Sequence, residues 1–519
     1  MGGLPRVGAD GRMARLCAIA CLGIGQAAAL GAVAFATRSA FGAMSRGEMP
    51  GAAAFVPLIA GGIGVGLLRM AARVQAESVG HSFASSLRHR LYAHIAGMNR
   101  SDLAARRQGG LSLRFVGDLS AARNWAGGGI AQAIPALAIL SGALLTLVLL
   151  QPALAVAALL PVCAALIPAA LFAGGLGQRH RHLRSRRAGI AMSVIERLAL
   201  ATELDLTGRT ANELARLDQA GRTLARDATA RRLHREVLRL LPQLGAALGG
   251  AAVIWTAAQR GLPTAETAAA LAVLSILVMP LTDLASIWDR WCAWRIAREA
   301  CERLLARPSR LRRIAPRRGP VPVRFTGRTH LDRPAELDIP AGALAVIWGP
   351  PGSGKSDLAR LIAAQDRPRS GRIAYGAHEG LPRIAYIGPA PLVLKGSLRR
   401  TLTLGVTPRP KGRAIRAAAR AYGLRQVLDR VGSTREALPE AAGSLSTQEQ
   451  LALGLARAAL MQPDLIVVDH PALGPDQAPL IARLRAETGA TIVVVGPPDV
   501  FPEARRVIAP QPMAVPVQR

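Results

Sequence analysis

The sequence predicts an α-helical six-span transmembrane domain followed by an α/β domain that carries a helical subdomain. Three observations carry that fold class. Six stretches long enough to cross a bilayer lack Asp, Glu, Lys and Arg over most of their length. A proline-rich segment at 307–322 ends the apolar region, and beyond it short strand-like runs alternate with helical ones. One of those runs leads directly into a glycine-rich turn and then a helix.

Composition sets the frame. The chain has 519 residues, and at roughly 150 residues per domain that is more than one domain. Half the residues are hydrophobic and 19% are charged. A mean hydropathy of +0.26 argues against both extensive disorder and an ordinary soluble enzyme. Lys and Arg total 65 against 33 Asp and Glu, a formal charge of +32. Such a balance suits nucleic acid or a membrane face. Aromatic residues, at 3%, leave few stacking partners for bases, so nucleic acid is not the expected partner. Lys occurs only at 355, 395 and 411, as a GC-rich codon supply would give, which makes each one stand out. The cysteines at 17, 21, 163, 292 and 301 form no CxxC, so neither a zinc site nor a disulfide framework is indicated.

The spans follow from charge-free runs, since a crossing helix needs roughly 20 apolar residues. They are Leu16–Thr37, Met49–Leu68, two within Asn124–Gln178 that reverse at Gln151-Pro152, Leu240–Gln259, and Thr267 to about Ile287. The first reads as a span rather than a cleaved leader, because its apolar core is longer than a leader's. Arg-rich segments 69–123 and 179–239 fall on the cytoplasmic side by the positive-inside bias, which places both termini there too. Helical periodicity around Arg88–Tyr92 and Ile195–Leu198 predicts that spans two to five continue into the cytoplasm as long helices. Asp283 falls within or near the inner leaflet of span six; it reads as an interfacial residue, as do Trp288, Trp291 and Trp294, with a functional intramembrane acid as the alternative. The expected division is 1–306 for the membrane domain, 307–322 for a linker and 323–519 for the α/β domain.

In the second domain, the strand Leu344–Trp348 runs into Gly349-Pro350-Pro351-Gly352-Ser353-Gly354-Lys355-Ser356, and Leu358–Ile362 continues as a helix. This is a phosphate-binding loop in the context it requires. The glycines let backbone N–H groups converge on phosphate oxygens, and the helix N-terminus adds partial positive charge. Lys355 is placed for the β- and γ-phosphates and Ser356 for Mg²⁺. A second strand, Leu465–Val468, ends at Asp469, placed to help hold Mg²⁺. A third, Thr491–Val495, ends at Gly496-Pro497-Pro498.

Six spans, a linker and this loop domain together resemble one half of an ABC exporter over roughly 13–505. Local support comes from Leu445-Ser446, Leu455-Ala456-Arg457-Ala458 and Gln462-Pro463-Asp464, in the order of the family's signature helix before its second Mg²⁺-binding strand. Ile384–Ile387 through Gly396-Ser397-Leu398 resembles the Q-loop region, and Gly109-Gly110 through Arg114 and Asp118 the intracellular loop after span two. The resemblance implies that Gly349, Pro350, Pro351, Gly352, Ser353, Gly354, Lys355, Ser356 and Asp357 bind ATP. It implies that Ser446 meets ATP held by a partner chain and that Ser356 and Asp469 hold Mg²⁺. It also implies head-to-tail dimers that sandwich ATP and couple its binding and hydrolysis to transport.

The departures are selective. His470 stands where the family has the Glu that polarises water, Pro389 where it has the Q-loop Gln, and Pro497 where it has the switch His. The signature reads Leu445-Ser446-Thr447-Gln448-Glu449, without the usual two glycines. Pro471–Gly474 is a shortened D-loop, and Phe325 is a weak candidate for adenine stacking. Losing water-positioning and charge-stabilising groups raises a barrier by several kcal/mol. The expectation is a degenerate site that binds ATP and hydrolyses it slowly or not at all. That favours a heterodimer with a second half-transporter in a bacterial inner membrane, with lipid around the spans and an unknown transported substrate. The alternative is a membrane nucleotide-sensing or regulatory subunit that does not transport.

Overall fold

The computed structural model describes the chain except residues 1–2, 105–107, 199, 310–313, 317–318, 377–379, 390–392, 394–395, 435–444 and 509–519, and the side chains of 104 and 108–114. Two compact units result. One comprises Met1–Ala96 and Ala104–Ser309, and the other Gly97–Leu103 and Arg310–Arg519.

The first unit is all helix. Its elements are α1 (Arg12–Ser45), α2 (Ala52–Ala96), then α3 (Arg100–Ala104), whose first residues belong to the second unit, and α4 (Gln108–Trp125). A π-helical turn at Ala126–Ile130 joins α4 to α5 (Ala131–Leu150). There follow α6 (Pro152–Ala173), α7 (Leu176–Leu198), α8 (Ala201–Leu206), α9 (Thr210–Gln259) and α10 (Thr264–Leu305). Six helical stretches are long and apolar enough to cross a membrane: Arg12–Ser45, Ala52–Ala96, Phe115–Leu150, Pro152–Leu198, Thr210–Gln259 and Thr264–Leu305. The longest, at 50 residues, measures about 75 Å at ~1.5 Å per residue, against a hydrocarbon core of ~30 Å. The reversal at Gln151 is one extended residue between α5 and α6.

The sixth helix runs far past the expected Ile287, to Leu305. A charge-window reading stops where Asp289 and Arg290 appear, but a helix's backbone hydrogen bonds do not require an apolar surround. The third span likewise begins before its charge-free run. α1 packs on α2, α5 and α10, α6 on α9, and α9 on α10. Their core is built of small and branched side chains, among them Leu147, Leu154, Val253 and Leu277. Leu160, Leu171 and Val156 point outward, as a lipid-facing surface permits. Where α2 crosses the π-helical turn, a Cβ on Gly80 would lie 2.8 Å from the Arg123 carbonyl oxygen, and one on Gly127 2.7 Å from that of Ala76. Only glycine lets the two backbones approach so closely.

The second unit holds two sheets. β1 (Val323–Arg328) is the middle strand of an antiparallel sheet, between β2 (Pro334–Ile339) and β4 (Ser370–Ala374). β3 (Leu344–Trp348) belongs to a parallel sheet with β5 (Ile384–Ile387), β6 (Leu465–Val468), β7 (Thr491–Val495) and β8 (Arg505–Ile508), in the order β5-β6-β7-β3-β8. α11 (Lys355–Ile362) follows β3. Between β5 and β6 come α12 (Leu398–Leu402), α13 (Gly412–Ala421), α14 (Arg425–Val431) and α15 (Thr447–Met461), the helical subdomain. α16 (Ala478–Thr488) leads into β7. The strands read from sequence as Leu344–Trp348, Leu465–Val468 and Thr491–Val495 coincide with β3, β6 and β7. All three are continuous apolar runs, as strands covered on both faces should be, and their side chains divide between two cores.

α10 ends at Leu305 and β1 opens at Val323, while the two units divide between Ser309 and Arg310. Residues 310–313 and 317–318 of the expected linker lie outside the described residues. Gly97–Leu103 joins the second unit through Arg100, whose N–H donates to the Gln365 carbonyl at 3.1 Å. The Ser101 N–H donates to Asp366 Oδ1 at 2.9 Å.

Candidate nucleotide-binding site

The carboxyl ends of β3 and β6 lie at the same edge of the parallel sheet, separated by β7. That edge is where open α/β sheets bind ligands. β3 delivers the loop 349–354, and α11 begins at Lys355 with Gly354 in a left-handed conformation, φ 90°. Gly352 is also left-handed, φ 77°, and nothing lies within 4 Å of where its Cβ would stand. Space is therefore open at Gly352, whereas the Arg333 side chain stands 3.0 Å from where a Cβ on Gly354 would be, and the first-turn N–H groups of α11 have no helical acceptor. Lys355 Nζ donates to the carbonyl oxygens of Gly349 (2.6 Å) and Pro350 (2.8 Å), so the ammonium lies across the loop. Ser353 is fully buried and its Oγ has no hydrogen-bond partner.

β6 delivers Asp469, 7% exposed, whose Oδ1 accepts from Ser356 Oγ at 3.0 Å. Two sequence-predicted residues 113 positions apart are thus brought together. Asp469 Oδ2 accepts from the Tyr386 hydroxyl at 3.0 Å. Burial, and then the charge of Asp469, push the Tyr386 phenol well above its ordinary range, so it stays a donor. Residue 388 must be glycine for this ring position, since a Cβ there would run into the Tyr386 ring. The guanidinium of Arg100 lies 5.8 Å from the centre of that ring. Arg333 Nη1 donates to the Gly352 carbonyl at 2.7 Å. Sequence reasoning assigned roles to neither Tyr386 nor Arg333. Asp357, 3% exposed, sits in the first turn of α11, where its Oδ2 lacks a partner.

These residues fit a Mg²⁺–nucleotide. A glycine-rich turn open at Gly352, a lysine lying across it, an unpartnered buried serine hydroxyl, and a serine–aspartate pair of hard oxygen donors are the groups such a ligand requires. Gly349–Ser356 would hold the phosphates, and Ser356 with Asp469 would hold the ion, which supplies charge neutralisation to the phosphates.

His470 is buried, at 5% exposed. Its Nδ1 accepts the Ala472 N–H at 3.2 Å, and its Nε2 is buried without a partner. A ring that accepts at Nδ1 carries its proton at Nε2 when neutral. Burial lowers its pKa, against the pull of Asp469, which keeps it neutral. The nitrogen left free is therefore a donor and not a base. Pro389 and Pro497 are exposed and offer no side-chain polar atom. Phe325 is 1% exposed in the core beneath β1, which corrects the adenine-stacking expectation, because no face of its ring is free.

Ser446 precedes α15 and caps it. Its Oγ accepts the Glu449 N–H at 3.2 Å, and Glu449 Oε2 accepts the Ser446 N–H at 2.8 Å. Arg430 Nη2 donates to Glu449 Oε1 at 2.7 Å. A carboxylate thus occupies this helix N-terminus. Residues 390–392 and 394–395 of the Q-loop stretch lie outside the described residues, as do the side chains of Gly109, Gly110 and Arg114. Asp118 ion-pairs with Arg184 in the first unit.

A family model described as ABC transporter matches residues 333–473. The aliphatic sulfonates import ATP-binding protein SsuB 1 of Mesorhizobium japonicum is 33% identical over 150 residues, 28% of this chain and 54% of that protein. The thiamine import ATP-binding protein ThiQ of Cereibacter sphaeroides is 35% identical over 211 residues, 35% of this chain and 86% of that protein. Several of the curated relatives, SsuB 1 among them, are thus spanned over only about half their length. A solved bacterial Atm1-family ABC exporter with ATP bound superposes with a TM-score of 0.79 at 17% identity, covering 97% of this chain and 94% of that one.

Proposed function

Because this chain belongs to the ABC transporter family, we propose that it is an exporter-type half-transporter whose own ATP site binds nucleotide but hydrolyses it poorly. One contrast within the site carries the reading. The loop, Lys355 and the Ser356–Asp469 pair are assembled, while His470 presents a donor and Pro389 and Pro497 present no side-chain polar atom. The import proteins above resemble only the nucleotide-binding part. The fused six-helix unit has the exporter fold, and that supports export rather than import. Two such chains would form two impaired sites, so we favour a heterodimer with an intact sister half-transporter in a bacterial inner membrane, its nucleotide-binding domain in the cytoplasm.

The test is ATP turnover of the purified, lipid-reconstituted chain, with Lys355→Ala as control. The expected result is bound nucleotide with no turnover above the control, and co-purification of a sister chain from its native host. Turnover abolished by Lys355→Ala, from a stable transport-active homodimer, would overturn it.

A further inference from the structure

A second cation stands at the phosphate loop besides Lys355. A tight turn joins β1 to β2, in which the Thr329 N–H donates to the Arg333 carbonyl at 2.8 Å and the Asp332 N–H to that of Thr329 at 3.0 Å. Thr329 is fully buried, and Asp332 takes a left-handed conformation, φ 62°. This bonding fixes where the Arg333 side chain leaves the turn. From there it reaches the loop 349–354, where Nη1 donates to the Gly352 carbonyl at 2.7 Å. Nη1 and Cδ also lie 3.0 and 3.4 Å from where a Cβ on Gly354 would stand, so the side chain lies against the loop backbone.

Other arginines of this sheet and its border have carboxylate partners. Arg328 donates to Asp332 at 2.7 Å, Arg369 lies 3.6 Å from the same carboxylate, and Arg324 donates to Asp338 at 3.0 Å. Among the described residues no carboxylate pairs with Arg333, nor with Lys355, whose ammonium is held by two loop carbonyls. Two full positive charges thus meet at one glycine-rich loop and hold only neutral oxygens there. One N–H of the guanidinium is used, and the others remain free to donate. A planar guanidinium fork is poorly matched to a single neutral carbonyl, but it matches two oxygens of a phosphate.

We infer that Arg333 is a further phosphate-binding residue of this site. One of its N–H groups keeps the Gly352 carbonyl, and others bind the phosphate chain of the nucleotide in charge-assisted hydrogen bonds. Arg333 thereby ties the β1–β2 turn to the ligand, and with Lys355 it offsets the negative charge that Mg²⁺ leaves on a triphosphate. This role rests on the nucleotide-binding part of the reading above and adds to it a residue outside the loop.

The test is equilibrium binding to the full-length chain in phosphatidylcholine nanodiscs with Mg²⁺. A fluorescent ATP analogue is displaced either by a non-hydrolysable ATP analogue or by inorganic tripolyphosphate, which has no base or ribose. Arg333→Gln should weaken both competitors by the same factor, ~10-fold. Arg333→Lys, which keeps the charge and loses the fork, should weaken them ~3-fold. Affinity should also fall less steeply with added KCl in Arg333→Gln than in the unaltered chain, because one charge pair fewer is screened. A merely structural contact to Gly352 would lower affinity and leave that salt dependence unchanged, which would overturn the assignment. So would undiminished binding in Arg333→Gln, or a loss confined to the nucleotide analogue, which would place Arg333 on the ribose or base. Should Arg333→Gln fail to fold, Arg333→Lys decides the matter, since binding equal to that of the unaltered chain would deny the fork any role. No ligand in this test is hydrolysed, so the rate of turnover does not enter. An unaltered chain that binds neither competitor removes the nucleotide reading and this role with it, whereas an unaltered chain that binds both, with Arg333→Gln its equal, removes this role alone.

Discussion

At position 470 the imidazole's orientation matters more than its identity. A backbone N–H fixes Nδ1 as the acceptor, so the free Nε2 carries a proton and cannot take one from water. His470→Ala should therefore leave the basal ATP turnover unchanged, while His470→Glu should raise it when measured in the presence of a sister chain. The rise should stay far short of the ~10²–10³ that a single well-placed electrostatic group contributes, because Pro389 and Pro497 remain. A fall in turnover with His470→Ala would show that the ring reorients to act as a base. The residues of this site were unevenly legible. The glycine loop, Lys355, Ser356 and Asp469 are read from local spacing alone. Tyr386 lies within a strand, and its bond to Asp469 spans 83 residues, a distance no local pattern reports. The Ser446–Glu449 capping box was readable, since Ser-x-x-Glu before an apolar run is its signature.

At the scale of the element, α15 carries a titratable lock on its first turn. Burial favours the neutral form of Glu449, but the Ser446 N–H and the Arg430 guanidinium outweigh it and draw its pKa below the ordinary glutamate value. A carboxyl depressed in the folded state adds stability that is complete above its unfolded pKa and is lost as pH falls through the lower folded pKa. Amide exchange of α15 in the full chain should therefore accelerate as pH drops through the acidic range, after correction for intrinsic rates. Glu449→Gln should remove that pH dependence, and Glu449→Ala should cost about 1 kcal/mol of helix stability at neutral pH. Unchanged exchange in Glu449→Ala would mean that the subdomain's packing alone holds the turn. The membrane helices offer a second element-scale test. Gly127→Val places side-chain atoms against the Ala76 carbonyl across the π-helical turn, and overpacking of this kind costs about 1–3 kcal/mol. Its Tm should fall, while Gly62→Ala on α2, which meets nothing within 4 Å, should leave Tm unchanged. The glycine triplet 127–129 lies in this turn, but period-based reading has no rule that separates a π turn from a helix that merely contains glycine.

At the scale of the whole molecule, the charge-free runs foretold six crossings and missed how far the helices continue. Sequence reports where lipid can surround a helix, not where its hydrogen bonding stops. The same division governs function. The chain's sequence discloses which residues stand at positions 389, 470 and 497, but the consequence depends on the surface it meets in a dimer. The resemblance to exporters implies that each nucleotide lies between the loop of one chain and the signature of the other. In a heterodimer, ATP on this chain's loop would meet an intact sister signature but lie beside His470, Pro389 and Pro497. ATP on the sister's loop would lie beside intact hydrolytic groups but meet Ser446 with the Glu449 carboxylate behind it. A fixed negative charge at a helix N-terminus competes with phosphate for the same N–H groups and dipole. The sister's site should thus turn over, more slowly than a site with two intact halves. Three predictions separate the sites. Alanine at the sister's loop lysine should abolish turnover. Lys355→Ala should leave most of it while halving the nucleotide bound per dimer. Glu449→Gln, which removes the competing charge and keeps the cap's acceptor, should raise the sister's turnover. Each is read from steady-state hydrolysis and bound-nucleotide stoichiometry of the reconstituted pair. Loss of turnover with Lys355→Ala equal to that with the sister variant would mean that the two sites act as one, and that this chain's site takes part in every cycle.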